Sequence, residues 1–247
     1  MRCWGGIQVK DDRERLDDSR FSELDPDLLS TPFQVQTNWH VVTGAACAGK
    51  TTTINLLADR GYQTVPEVAR QLIERELAKG RTIEEWFADG AAMTPAVADV
   101  QRSVERGLPA TDFAFLDRGL PDCLFFYRNF GLDPNDLLAE CFHHRYASVF
   151  LLDRLDFQLD GARVRDDTYT VLLDEWLYRD YTALGYHVIR VPVLPPQERI
   201  EFILERLAEQ SLVVHAQKEA NQQRNLNALN AAFVPAPVKE RPAQRLR

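Results

Sequence analysis

The sequence predicts an α/β fold built on a parallel sheet with helices covering both faces. Three observations carry this. Short apolar runs recur along the chain, helical stretches separate them, and the first run ends in a glycine loop that opens a helix. Purely antiparallel folds would join such strands by tight turns, and those are missing between the runs.

The elements follow in order. Trp39–Thr43 (WHVVT) is β-rich and is followed by GAACAGKT, after which Lys50–Leu57 continues with helical spacing to a stop at Arg60-Gly61. Tyr62–Val65 is the second strand. Glu67–Lys79 places Val68, Leu72, Ile73 and Leu77 on one helical face and closes at Gly80. Two polar helices are expected around Thr82–Phe87 and Pro95–Arg106. Asp112–Leu116 (DFAFL) is the third strand and delivers Asp117 and Arg118 at its carboxyl end. Helices over Asp122–Asn129 and Pro134–His144 precede the fourth strand, Ala147–Leu152. A long helix, the fifth strand Val188–Val193 and a closing helix Pro196–Leu207 complete the pattern. No internal repeat appears.

The ends differ from this core. Residues 1–37 are polar, irregular and broken by Pro26 and Pro32, so they read as an extension. Residues 211–247 turn to Gln, Asn, Ala and Pro with six basic residues against two acidic ones, the composition of a flexible tail that offers material for a protein partner. The expected organisation is an extension over 1–37, one domain over 38–210 and a tail over 211–247. The 45% of apolar residues suffices for a sizeable core. A net charge of −8 argues against a general nucleic-acid binder, whose affinity would rest on neutralising phosphates. Cys3, Cys47, Cys123 and Cys141 show neither zinc-site nor disulfide-framework spacing. No apolar run nears the roughly 18 residues of a membrane span, so the expectation is a soluble, cytoplasmic protein.

The loop Gly44–Thr51 matches G-x-x-x-x-G-K-[ST], the phosphate-binding or Walker A pattern. Gly44 and Gly49 let the chain wrap so that the backbone N–H groups of Ala45, Ala46, Cys47, Ala48 and Gly49 line a concavity. Lys50 reaches β and γ phosphates, Thr51 can ligate Mg2+, and the following helix, Thr52 included, adds its positive end. A chance match in a chain of this length is on the order of one in a hundred. In open parallel sheets ligands sit beyond the carboxyl strand ends. Asp117 therefore stands where an acid holds magnesium, Arg118 beside it can reach phosphate oxygens, and Glu67 after the second strand can accept a proton from an acceptor hydroxyl. Arg70 is one turn on. Arg163 and Arg165, in the loop DGARVRDD, have the spacing of lid cations that stabilise a transferring phosphoryl group. His143 and His144 read as cations closing a helix.

Four separated blocks, HVVTGAACAGKTTTINLLADRGYQTVPEVARQLI, FLDRGLPD, LDGARVRDD and YTALGYHVIRVPVLPPQERIEFIL, together resemble the NadR-like AAA-domain family of small P-loop ATPases over about residues 39–207. The resemblance implies a three-layer, kinase-like fold with five parallel strands in the order 2-3-1-4-5. It implies transfer of phosphate from ATP to a nucleoside such as nicotinamide riboside, or nucleotide-dependent switching of the kind a GTP-preferring trafficking relative carries out. It also gives Asp117-Arg118 the place of the DR pair of related kinases and Arg163 that of a lid arginine. Ala46 and Cys47 replace a Pro-Gly common in the loop, and Arg154 stands where proline is frequent. The expected protein is thus a Mg-dependent ATP-binding phosphotransferase; a nucleotide-gated switch or an NTPase with no small-molecule acceptor is the alternative. No NKxD element follows the fourth strand, which favours ATP and leaves GTP open.

Overall fold

The computed structural model describes residues 21–155, 167–212 and 224. The chain divides into two compact units, Met1–Phe202 and Ile203–Arg247.

In the first unit the elements are, in order, α1 (Pro26–Leu29), β1 (Val35–Gln36), β2 (Trp39–Thr43), α2 (Lys50–Asp59), β3 (Gln63–Val65), α3 (Val68–Ala78), α4 (Ile83–Ala88), α5 (Gly90–Gly107), β4 (Ala114–Asp117), α6 (Asp122–Asn129), α7 (Asn135–Leu138), a 3-10 turn (Ala139–Phe142), β5 (His144–Arg145), β6 (Ser148–Leu152), α8 (Asp167–Ala183) and β7 (Val188–Val191). A further helix begins at residue 196. The main sheet is β3-β4-β2-β6-β7, every pair parallel. Counting only these five strands in chain order, the arrangement is 2-3-1-4-5, as the resemblance implied. Parallel strands buried on both faces need apolar residues at successive positions, and all five residues of both β2 and β6 are buried.

One face of the sheet joins Trp39, Val41, Leu116 and Val149 to Ala98 of α5 and Leu124 of α6, while α2 buries Ile54 and Leu57. Each such side chain contributes about 1.5–3 kcal/mol on burial. Helix ends follow local chemistry. After α2 the chain turns at Gly61, whose N–H donates to Ala58, and after α3 at Gly80, whose N–H donates to Leu77. A reciprocal capping box opens α4: Thr82 accepts from the Glu85 backbone and Glu85 from that of Thr82.

Two expectations need correction. The helix expected from Pro95 starts at Gly90 and carries Pro95 inside it. Five residues precede Pro95 in α5, and the helix tolerates its missing N–H. The helix expected over 134–144 breaks into α7 and a 3-10 turn, and His144 does not close it. His144 lies on β5, its ring 4.7 Å from that of Trp39 and its Nδ1 3.7 Å from Glu105.

The expected extension is described from residue 21. Its described part, residues 21–36, packs into the unit. Phe21 lies 5.8 Å from Phe125 and 5.5 Å from Trp176, and Phe33 lies 5.0 Å from Phe142. β1 adds a two-stranded parallel sheet with β5, pairing Val35 with His144 and Gln36 with Arg145. Apolar residues that each meet a different partner leave no periodic trace, so the stretch looks irregular as sequence.

In the second unit, residues 203–212 are helical, with Arg206 paired to Glu209 at 2.5 Å. The tail expected from 211 lies, apart from 211, 212 and 224, outside the described residues. Among the described residues no helix is long and apolar enough to cross a membrane.

Candidate functional site

Residues from four strand and helix ends meet at the carboxyl edge of the main sheet. β2 runs into the loop 44–49, β3 delivers Glu67, β4 delivers Asp117 and Arg118, and α6 opens with Asp122. The register makes this meeting inevitable. Val42 of β2 lies beside Asp117 of β4, and Val65 of β3 lies beside Leu116, so the three strand ends finish level with one another.

The loop has the backbone that its glycines require. Gly44 is at φ 147, and a Cβ there would come within 2.9 Å of the Leu152 carbonyl of β6. Gly49 is at φ 88, where an L side chain is strained. Cys47 is left-handed too, at φ 61, which accounts for glycine being common in its place. Its thiol is exposed, Ala45 and Ala48 are buried, and Ala46 is half-buried. Thr51 and Thr52 stand in the first turn of α2, Thr51 half-buried and Thr52 exposed. Lys50 is buried and its Nζ donates to the Ala45 carbonyl at 2.8 Å, so the ammonium spans its own loop. Burial, helped by the Arg118 charge, lowers its pKa to about 8, against the pull of Glu67, Asp117 and Asp122.

Arg118, at φ 76, is the hub of a buried charge network. Its Nε donates to Glu67 at 3.0 Å and a terminal nitrogen to Asp122 at 2.8 Å. Asp122 also accepts from the Thr43 hydroxyl, the Gly119 N–H and, at 2.7 Å, the Tyr181 hydroxyl of α8. Burial opposes the Arg118 charge, but Glu67, Asp122 and Asp117 outweigh it and push the pKa further up. Burial likewise raises Glu67, and Arg118 and Lys50 overcome it, so its carboxyl is held below the usual range and stays ionised. Arg70 approaches Glu67 at 3.9 Å.

Asp117 differs from these carboxylates. It is 3% exposed and its Oδ1 has no hydrogen-bond partner. Burial and the neighbouring Glu67 charge raise its pKa to about 6. A buried, unpartnered carboxylate oxygen beside a phosphate loop fits a cation, and Mg2+ takes one or two protein oxygens with phosphate and water for the rest. Asp117 and the Thr51 hydroxyl fit that modest donor set. Among the described residues no cluster of three His, Cys, Asp or Glu side chains would build a metal site by itself.

The raised pKa has a testable sign. Above about pH 6 the folded protein carries the charge that burial disfavours, whereas the unfolded chain loses that proton near 3.8. Stability from this group therefore falls as pH rises through that window. Asp117→Asn is expected to raise the melting temperature of the metal-free protein at pH 8, by about half as much at pH 5 and by little near pH 4; an equal shift at pH 8 and pH 4 would contradict the assignment.

The structure brings Lys50, Glu67, Asp117, Arg118 and the loop together. Arg163 and Arg165 lie outside the described residues. Sequence reasoning missed Asp122, Tyr181 and Arg199. Asp122 has the signal of an acid four residues after Arg118 at a helix start. Arg199, in the first turn of the last helix of PPQER, donates to the Ala48 carbonyl at 2.6 Å.

A family model described as an AAA domain matches residues 39–199. No curated protein matches significantly. Among solved structures, the chain is similar to NadR protein in complex with NR, with 19% identity, a TM-score of 0.52, and coverage of 70% of this chain and 51% of that one. It also aligns with deoxyadenosine kinase from M. mycoides at 16% identity and TM-score 0.47, over 69% of this chain and 99% of that one. A thymidylate kinase from Ehrlichia chaffeensis aligns at 14% identity and TM-score 0.48, over 70% of this chain and 99% of that one.

Proposed function

The chain belongs to the AAA-domain family whose model spans residues 39–199, and on that premise we propose that it binds Mg-ATP and moves the γ-phosphoryl group to a hydroxyl of a small, nucleoside-like metabolite. One observation carries this reading. The phosphate loop with its buried Lys50, an orphaned carboxylate at Asp117 and an ionised carboxylate at Glu67 stand side by side at three adjacent strand ends.

Each residue then has a task. Lys50 leaves the Ala45 carbonyl for the β and γ oxygens and neutralises charge there. Thr51 and Asp117 would hold Mg2+, which supplies charge neutralisation on the phosphates when bound. Glu67 accepts the proton of the attacking hydroxyl as the new oxygen–phosphorus bond forms and the bond to the β-phosphate oxygen breaks, releasing ADP. Arg118 holds Glu67 and Asp122 in place, so positioning is its first role, ahead of direct contact with phosphate. Arg163 and Arg165 keep the role of lid cations that the resemblance and spacing suggest. Phosphoryl transfer depends on placement and electrostatics, which the charge network around Arg118 supplies.

The test is nucleoside diphosphate release from Mg-ATP and Mg-GTP, with and without a panel of ribonucleosides, deoxyribonucleosides and nicotinamide riboside. One acceptor is expected to accelerate ADP release at least about a hundredfold, the order that a positioned general base contributes. Tight triphosphate binding with slow release that ignores every acceptor would sink the kinase reading and identify a nucleotide-gated switch.

A further inference from the structure

Arg199 is 4% exposed, yet among the described residues no carboxylate lies within ion-pair distance of it. One terminal nitrogen donates to the Ala48 carbonyl at 2.6 Å, and Nε has no partner. Asp153 acts on the charge only from farther off, and burial dominates. A buried guanidinium with an unused donor and no counter-ion is costly. Packing alone does not require it.

What it touches suggests why it is there. The Ala48 carbonyl and the Gly49 N–H belong to one peptide plane, and in a trans peptide the two point in opposite directions. Every described peptide here is trans. A guanidinium that grips the carbonyl therefore sets the direction of the N–H. The peptide lies between two residues of left-handed φ, Cys47 at 61 and Gly49 at 88, so its orientation is a special one that needs a partner to hold it. Contact is close: a Cβ on Gly49 would lie 2.8 Å from the same Arg199 nitrogen. A cation on the oxygen also polarises the peptide and makes its N–H a better donor.

We propose that Arg199 is a positioning residue of the phosphate loop, which holds the Ala48–Gly49 peptide so that the Gly49 N–H donates to bound polyphosphate, and whose charge, in ion-pair contact with no carboxylate among the described residues, adds to the attraction for that anion. The inference rests on the reading of the loop as a triphosphate site. It concerns the β and γ phosphates, so its effect grows with phosphate number.

The experiment titrates ATP, ADP and AMP, each with Mg2+, into the full chain and into R199A, R199Q and R199K. The Gly49 amide resonance is followed in the nucleotide-free proteins. R199A is expected to bind ATP about tenfold more weakly and AMP less than about threefold more weakly, the loss of one charge-assisted contact. R199K, which keeps charge and donor, stays within about threefold for ATP, and R199Q, which keeps only a donor, falls between. The Gly49 amide moves upfield in R199A and stays near its place in R199K. Equal losses for ATP and AMP, or an unmoved Gly49 amide, would show a merely structural arginine. Should R199A not fold, R199Q and R199K decide between the same outcomes. A parent chain that binds none of the three nucleotides overturns the reading of the loop and this inference with it, whereas a parent that binds beside an R199A of equal affinity overturns the inference alone.

Discussion

A Lys50→Ala variant is expected to bind Mg-ATP at least about 100-fold more weakly than the parent. The ammonium would make two charge-assisted contacts to phosphate oxygens, each contributing about 1.5–3 kcal/mol, which together correspond to roughly two or more orders of magnitude. Loss of folding is not the cause. Lys50 is a buried cation whose pKa has dropped from 10.5 to about 8. The folded state thus disfavours its proton, and the group's contribution to stability rises with pH between those values. Removing the charge relieves that burial cost near neutrality and leaves one carbonyl, that of Ala45, without its donor. Calorimetric titration beside a melting curve checks both halves. A cooperatively folded variant with affinity within about threefold of the parent would end the phosphate-loop assignment.

Arg118→Met is expected to act on stability instead. It removes the one cation that touches both Glu67 and Asp122 and leaves two buried carboxylates facing each other. Breaking a buried pair from one side costs about 3–5 kcal/mol, and in a domain of this size each kcal/mol lowers the melting temperature by about 2–4 °C. A fall of about 6–20 °C follows. The loss depends on pH in a stated sense. Glu67 is held below 4.5 in the folded parent, so its stabilising contribution is present above that pH and vanishes as pH falls. The gap between variant and parent is therefore widest near neutrality and narrows in acid. Adding Glu67→Gln and Asp122→Asn to the variant recovers much of the loss, because the three side chains form one network. A drop of less than about 2 °C would mean that the network contributes nothing measurable.

Much of this was legible in the sequence, for physical reasons that differ from residue to residue. Trp39–Thr43 and Ala147–Leu152 announced buried strands because a parallel strand covered on both faces has no polar side to show. Gly44, Gly49, Lys50 and Thr51 stood out because a loop that wraps phosphate constrains residue type at fixed spacing. Asp117 and Arg118 were found as the residues that follow an apolar strand. Their division of labour was not, since the guanidinium of Arg118 is held by Glu67 and Asp122, which come from two separate stretches of chain and leave it to the fold to bring them together. Arg199 was hidden for a related reason: its partner is a backbone carbonyl of residue 48, and main-chain atoms leave no mark in a string of side chains. The start of α5 at Gly90 was not legible, because the stretch before Pro95 carries no cap or periodic signal and tertiary packing decided where the helix begins.

The strap formed by residues 21–36 separates two things that are easily taken as one. The family model begins at residue 39, yet Phe21 and Leu24 are buried and β1 pairs with β5 upstream of that point. What relatives share as a recognisable text and what this chain must assemble as a cooperative solid therefore have different borders. A boundary drawn from kinship alone would cut through the hydrophobic interior and leave Phe125, Phe142 and Trp176 without the rings that now cover them.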